Sequence, residues 1–405
     1  MDKRTNVTLA ASDGAAESGV AKATIAWRPI LAVIACLSVF DVTLGLTYPL
    51  LALLLEARGV EAATIGLNAA MMPLGLILSA PLVPHVARRA GPWRFTVGCI
   101  LATASLLLLF KLFASLPAWF VLRFLLGVAI NGLWIVSETW INELATGSAR
   151  GRVMGLYATV LSLGFAAGPF FLLATGTAGW LPFLFGAACA VAALLPLALS
   201  RRALPAPAPE ARSSFRDFLP KAPTLLVAVA AFGVFDAASM SLLPLYALRH
   251  GLSESNAAAV VGVLIAGNVF LQYPIGWAAD RIGRKRALMA GCAAATVLGS
   301  ALLPAAINAP GLLWPLLFLW GGTAFGVYTL ALAELGDRFS GAELLSGTAA
   351  FSAVWGTGAI LGPPLAGTAM ESLGPEGLPL TLGLAFAILT VIAARAYGFR
   401  SPSSR

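Results

Sequence analysis

Asp41, Asp236 and Arg123 carry charge in the middle of otherwise apolar runs. An isolated ionisable group in such a run must face a polar interior or a water-filled space, because inserting it into hydrocarbon costs about 2.5–3.5 kcal/mol. The chemistry open to such an acid is to take up and release a proton, or to oppose the charge of a cationic ligand. Arg123 keeps its charge in almost any environment and can help a neighbouring acid release its proton. The neutral polar residues Asn68, Asn131, Asn268 and Gln272 lie in similar runs, with Trp134, Tyr157 and Tyr273. They either line a cavity or hydrogen-bond one helix to another, and the sequence supports both readings. Enzyme chemistry lacks its residues. HExxH, GxSxG and GxxxxGK[ST] do not occur, and the only histidines are His85 and His250. Cys36, Cys99, Cys189 and Cys292 lie singly in apolar segments and read as packing residues. No metal and no cofactor is implied.

The elements that must position these groups follow from composition. Of 405 residues, 59% are hydrophobic and 11% charged, against about 25% charged in a soluble domain. That excludes a soluble enzyme, and the spread of the apolar residues along the chain excludes a single-span anchor. A bilayer-crossing helix needs about 20 apolar residues. Twelve such runs are expected, near 29–55, 62–84, 95–115, 117–142, 152–175, 180–199, 223–248, 257–278, 287–307, 311–334, 344–369 and 377–397. Asp41 lies 13 residues after Arg28 and Asp236 lies 15 after Lys221. At about 1.5 Å per residue, both reach roughly 20 Å into a core about 30 Å thick.

Of the 26 basic residues, the odd-to-even loops hold only Arg58, Lys111 and Arg249, and Arg123 lies within a span. The rest fall in the tails and the other loops. The net charge of +8 therefore points to orientation in a bilayer rather than to nucleic acid. Positive charge stays inside, so both termini are expected in the cytoplasm. Residues 1–27 read as a mobile tail, 28–200 as a first six-helix half, 201–221 as a stiff basic Pro/Ala-rich linker, 222–398 as a second half and 399–405 as a short tail.

The halves repeat. Val39-Phe40-Asp41 recurs as Val234-Phe235-Asp236, Pro49 as Pro244, and Gly127, Gly132, Gly164, Gly168 and Pro169 as Gly321, Gly326, Gly358, Gly362 and Pro363. Gly164 and Gly168, one turn apart, present a face that lets another helix approach closely, and a helix of the opposite half is the expected partner. Parallel halves with a site at their interface are a transporter arrangement.

Several stretches resemble signatures of the major facilitator superfamily. Gly276-Trp-Ala-Ala-Asp280-Arg281-Ile-Gly283-Arg284-Lys285-Arg286 resembles the GxxxDRxGRR/K loop; its first-half counterpart has Arg88 where the acid belongs. Arg123-Phe-Leu-Leu-Gly127 resembles RxxxG, and Gly164-Phe-Ala-Ala-Gly168-Pro169 resembles the antiporter signature GxxxGP. Glu138-Thr-Trp140-Ile-Asn142 followed by Arg150-Gly-Arg152 resembles the YcaD-like branch. The resemblance implies an all-α membrane protein of twelve transmembrane helices in two pseudo-symmetric six-helix halves. It implies a secondary active transporter working by alternating access in the inner membrane. Its partners would be a small-molecule substrate, protons and the bilayer, and it is read as a monomer. Proton-coupled efflux by antiport leads; a proton-coupled symporter importing a metabolite, and a transporter-like sensor without flux, are the alternatives. Asp41, Arg123 and Asp236 are the expected coupling residues. Near the inner mouth, Glu138 is expected to pair with Arg88, Arg89 or Arg152, and Glu334 with Arg281 or Arg284.

Overall fold

Long apolar runs of Leu, Ala, Val and Phe form helices because in hydrocarbon every backbone N–H and C=O must find its partner within the segment. Prolines open α4, α7, α9 and α12, where a missing N–H removes no intrahelical bond. In the computed structural model, residues 27–144, 150–204, 218–282 and 285–397 are described. The expected tails, the centre of the linker, Gly283 and Arg284 lie outside these residues, as does the side chain of Arg152.

The first half comprises α1 (Trp27–Glu56), α2 (Ala62–Ser79), α3 (Val83–Ala90), α4 (Pro92–Leu112), α5 (Leu116–Leu144), α6 (Arg150–Thr175), α7 (Leu181–Ala192) and α8 (Leu194–Leu199). The second comprises α9 (Pro223–Arg249), α10 (Glu254–Ile282), α11 (Lys285–Ala306), α12 (Pro310–Arg338), α13 (Gly341–Leu373) and α14 (Gly377–Tyr397). Ten of these segments, counting α7 and α8 as one, are long and apolar enough to cross a membrane. The apolar stretch of α6 is the shorter Thr159–Thr175, and α13 is 33 residues long with Glu343 in its first turn. With these two, the chain makes the twelve expected passes.

Two expected spans are broken by proline. The second stops at Ser79 and resumes as α3, because Pro81 has no backbone N–H to continue the helical hydrogen bonds. The sixth breaks at Ala193, four residues short of Leu197, where Pro196 removes a backbone donor and crowds the preceding turn.

The repeat seen in sequence is a repeat of packing. In the first half α1 packs on α6 and α7, α2 on α5, and α4 on α5 and α7; in the second, α9 packs on α13 and α14, α10 on α12, and α11 on α12 and α14. The halves meet along α2–α13 and α6–α10, with α1 against α9.

Glycine makes the tightest of these contacts, but not where the sequence placed them. Gly164 and Gly168 press α6 against α1 of the same half. A Cβ at Gly164 would sit 2.2 Å from the Ser38 carbonyl oxygen, and one at Gly168 2.2 Å from the Leu46 amide nitrogen. Gly358 and Gly362 press α13 against α9 in the same way, at Ala230 and Val234. The expected partner in the opposite half is therefore corrected: the small-residue face turns inward to its own half. Other residues of the same helices reach across: Gly356 of α13 meets Ile77 of α2, and Gly367 meets Ala62. Pro363 meets Gly66 of α2, and Phe170, next to Pro169, meets Gly262 of α10.

Because backbone atoms bound the Gly168 contact, Gly168→Leu is expected to destabilise the purified protein by at least about 1–3 kcal/mol, the usual cost of overpacking. Gly98→Ala, at a helical glycine with no atom within 4 Å of its would-be Cβ, should be neutral or slightly stabilising. Thermal unfolding of both variants in detergent checks this; equal midpoints would show that the α1–α6 contact yields freely.

Candidate functional site

A cavity of about 70 Å³ lies between the halves, lined by α1, α2, α5 and α6 on one side and by α9 and α13 on the other. Among the described residues, Asp236 is the only charged one in its wall. Four aromatic rings, Tyr48, Trp134, Phe165 and Trp355, supply much of the rest, with aliphatic groups such as Leu44 and Met240. The Trp355 indole N–H donates to Asp236 Oδ2 at 3.2 Å, which orients the carboxyl. Asp236 is half-buried. Drug-sized ligands occupy pockets of about 300–1,000 Å³, so the halves must part further to admit one.

Asp41 occupies the equivalent turn of α1 but is not in the cavity wall. It is 4% exposed, and its Oδ1 meets no donor. Its polar neighbour is the Trp134 indole, whose N–H falls outside hydrogen-bonding geometry. Phe40 and Phe235, which precede the two acids, are fully buried.

Arg123 is 1% exposed and does not snorkel to a surface. It donates from Nη1 to Asn68 Oδ1 at 3.2 Å, and its guanidinium stands 5.8 Å from the centre of the Tyr48 ring. It makes no ion pair among the described residues, and its Nε and the Asn68 Nδ2 are buried without partners. The expected neighbour, Asp41, is not the group it faces. Tyr48 lies within electrostatic reach of both Arg123 and Asp236, so the ring stands between the buried cation of one half and the cavity acid of the other. Sequence reading passed over Tyr48 and Trp355; the signal available was an aromatic two turns after Asp41, and a tryptophan three residues before the repeated Gly motif of α13.

The neutral polar residues divide. Asn131 donates to the Leu76 carbonyl and the Ser79 hydroxyl, both at 2.9 Å, and joins α5 to α2. Asn268, Gln272 and Thr329 form a hydrogen-bonded chain joining α10 to α12. Trp134 alone of the expected lining residues is in the cavity wall. Tyr273, expected in the cavity, is 80% exposed and outside that wall. Tyr157 donates to Glu138 Oε1 at 3.3 Å. Glu138 is exposed to water yet closely surrounded, and it acts together with Asp236 on Tyr328 of the opposite half. It lies at the cleft between the halves.

At the end of the bundle holding the starts of α1 and α9, ion pairs stay within one half. Arg286 binds Glu334 at 2.6 Å; of the two expected partners, Arg281 makes no ion pair with it among the described residues and Arg284 lies outside them. Lys285 holds Asp337 at 2.7 Å and Asp280 at 3.5 Å, and Arg281 lies 5.0 Å over Trp277. At the opposite end, charges cross between halves. Arg249 of α9 binds Glu56 of α1 at 3.0 Å and Glu371 of α13 at 3.3 Å. Glu371 also accepts the Ala62 N–H of α2 at 2.5 Å, and Thr177 donates to Glu254 at 2.6 Å. Sequence reading missed this lock, although Glu56 and Arg249 end the paired helices α1 and α9 with opposite charges. The bundle is thus tied shut at the Glu56–Arg249 end, and among the described residues no ion pair joins the halves at the other.

The family model of the Major Facilitator Superfamily matches residues 31–335 and 260–405. The chain belongs to this superfamily and is a secondary transporter, a multi-pass membrane protein and not an enzyme. The uncharacterized MFS-type transporter YfkF of Bacillus subtilis is 26% identical over 345 residues, covering 82% of this chain and 86% of the relative. The uncharacterized MFS-type transporter YcaD of Escherichia fergusonii is 24% identical over 349 residues, covering 85% and 89%. Among solved structures, the nucleoside transporter NupG superposes with a TM-score of 0.73 at 14% identity, covering 92% of this chain and all of that one. A D-xylose–proton symporter superposes with a TM-score of 0.71 at 14% identity, covering 91% and 97%. These share the fold.

The lock predicts a conformational response. A partly exposed ion pair is worth up to about 1 kcal/mol, roughly a fivefold change in a two-state ratio. In a cysteine-free background, Leu44→Cys should react several-fold faster with an impermeant thiol reagent applied at the Glu56–Arg249 face when Arg249→Glu is added. The swap Glu56→Arg with Arg249→Glu should restore slow labelling. Unchanged labelling in Arg249→Glu would remove the lock as a determinant of closure.

Proposed function

We propose that this chain is a proton-coupled transporter of the cytoplasmic membrane, with both termini inside, exporting a small molecule in exchange for protons. The observation that carries the coupling is the pair of interior carboxyls, Asp41 and Asp236, at equivalent turns of α1 and α9. Asp236 reaches the cavity, and Asp41 stands one indole away with an unpartnered oxygen. Taking up a proton at Asp41 in the closed arrangement, and releasing it once water enters, is the exchange that alternating access needs. Arg123 acts on this cycle through Tyr48, as a fixed positive charge whose distance from the acids changes when the halves rock.

The distribution of bases supports the orientation: Arg58, Lys111 and Arg249 are alone on one side. With the termini inside, the Glu56–Arg249 lock closes the outer face and the cleft containing Glu138 opens inward. Antiport rests on the GxxxGP signature of α6. Symport is the second reading, favoured by the likeness in fold to a D-xylose–proton symporter.

Single cysteines near Glu61, Ser213 and Ser403 test the orientation with an impermeant reagent on intact cells; only the Glu61 site should label, and labelling at Ser213 would reverse it. In proteoliposomes with an imposed pH gradient and an interior pH dye, substrate addition should move protons opposite to the substrate; movement in the same direction makes the protein a symporter, and no flux makes it a sensor. Asp41→Asn is expected to lose uphill transport and keep downhill exchange. Uphill transport by Asp41→Asn would transfer the coupling role to Asp236.

A further inference from the structure

Resting on the transporter reading above, we propose that the central cavity recognises a monovalent organic cation with an apolar or aromatic body. The wall offers one charge, the carboxyl of Asp236, and four aromatic rings. An aromatic face carries negative quadrupolar charge and attracts a cation, more strongly once both are out of water. Such a wall matches a cation with greasy substituents, because each ring contributes dispersion contact as well as electrostatic attraction. Trp355 holds Oδ2 of Asp236 at 3.2 Å, and no other hydrogen bond to the carboxyl occurs among the described residues, which leaves Oδ1 for a ligand.

The charge around the cavity points the same way. Glu138 stands exposed in the cleft, within reach of Tyr328, the same ring that feels Asp236. Asp41 lies behind Trp134. Arg123 is buried behind the Tyr48 ring and is absent from the wall. A ligand entering the cavity therefore meets the Asp236 carboxyl and ring faces, and the guanidinium is screened from it. Clefts lined by one sign of charge concentrate the opposite ion. An anionic ligand would have to lie against Asp236 with no cation in the wall to offset the repulsion.

The same geometry links the ligand to the proton. A cation beside Asp236 stabilises the ionised carboxyl, so ligand binding and proton binding exclude each other there, which is the condition for exchange transport.

The test is equilibrium binding to the purified full-length protein in lipid nanodiscs, followed by titration calorimetry. The probes are phenyltrimethylammonium, a permanent cation, and benzenesulfonate, an anion of similar size. Saturable binding of phenyltrimethylammonium and none of benzenesulfonate is expected. Asp236→Asn should weaken the cation about tenfold or more, and Trp355→Leu several-fold; Asp236→Glu should keep most of the affinity. Thermal unfolding without ligand checks that each variant is folded, and if Asp236→Asn is not, Trp355→Leu and Tyr48→Leu decide. Equal binding of benzenesulfonate, unaltered cation binding by folded Asp236→Asn, or no saturable binding of the cation to the wild type overturns the proposal. The assay needs no proton gradient. Loss of uphill transport through Asp41→Asn with cation binding intact, or the reverse, therefore separates this inference from the coupling it rests on.

Discussion

The contact of α1 with α6, and of α9 with α13, places backbone against backbone, and most other features of the structure depend on it. Without glycine at Gly45, Gly164, Gly168, Gly233, Gly358 and Gly362, a Cβ would meet a carbonyl or amide at less than 3 Å. In hydrocarbon no hydrophobic effect drives helices together, so dispersion across a close approach must hold them. The approach is closest at the turns beside Asp41 and Asp236. Each acid therefore rides on a closely packed pair of helices in its own half, and Asp236 is the one of the two that reaches the cavity wall.

A second consequence concerns the seam between halves. The faces of Gly164, Gly168, Gly358 and Gly362 pack within each half, so the halves meet through other residues of these helices, among them Pro363 against Gly66 and Phe170 against Gly262. These contacts lie toward one end of the bundle, where Arg249 gathers Glu56 and Glu371. At the other end, Arg286–Glu334 and Lys285–Asp337 stabilise a single half and place no tie across the seam. Rigid halves tied at one end by a few partly exposed ion pairs are suited to rocking. The tie is worth little compared with the packing inside each half, so it can break without loosening either body.

The central electrostatics follow from the same division. Arg123 belongs to the first half and Asp236 to the second, and the Tyr48 ring stands between them. A buried guanidinium without a carboxylate partner is costly; here Asn68 and the Tyr48 face offset part of that cost. Rocking the halves changes the distance between Arg123 and Asp236 while leaving distances within each half alone. That makes this pair a natural reporter of conformation, whatever molecule occupies the cavity.

Much of this was legible in the amino-acid sequence. The twelve passes, the duplicated halves and the interior position of Asp41, Asp236 and Arg123 all follow from residue type and spacing. Helix formation in a bilayer depends on each segment's own apolarity and its own backbone hydrogen bonds. The superfamily signatures sit within single helices or loops and are read in the same way. What the sequence did not determine was which groups meet. Gly168 was expected to face the opposite half and faces α1. Glu334 takes Arg286, a partner the sequence reading did not name. Asn131, a possible lining residue, binds α2, and Tyr48, Trp355 and Glu371 gained their places only through neighbours far along the chain. A Coulomb or hydrogen-bond partner is decided by separations of a few ångströms. Those separations depend on how helices rotate and cross in tertiary packing, whereas the cost of placing a residue in a membrane-spanning helix is set largely by the residue and its depth.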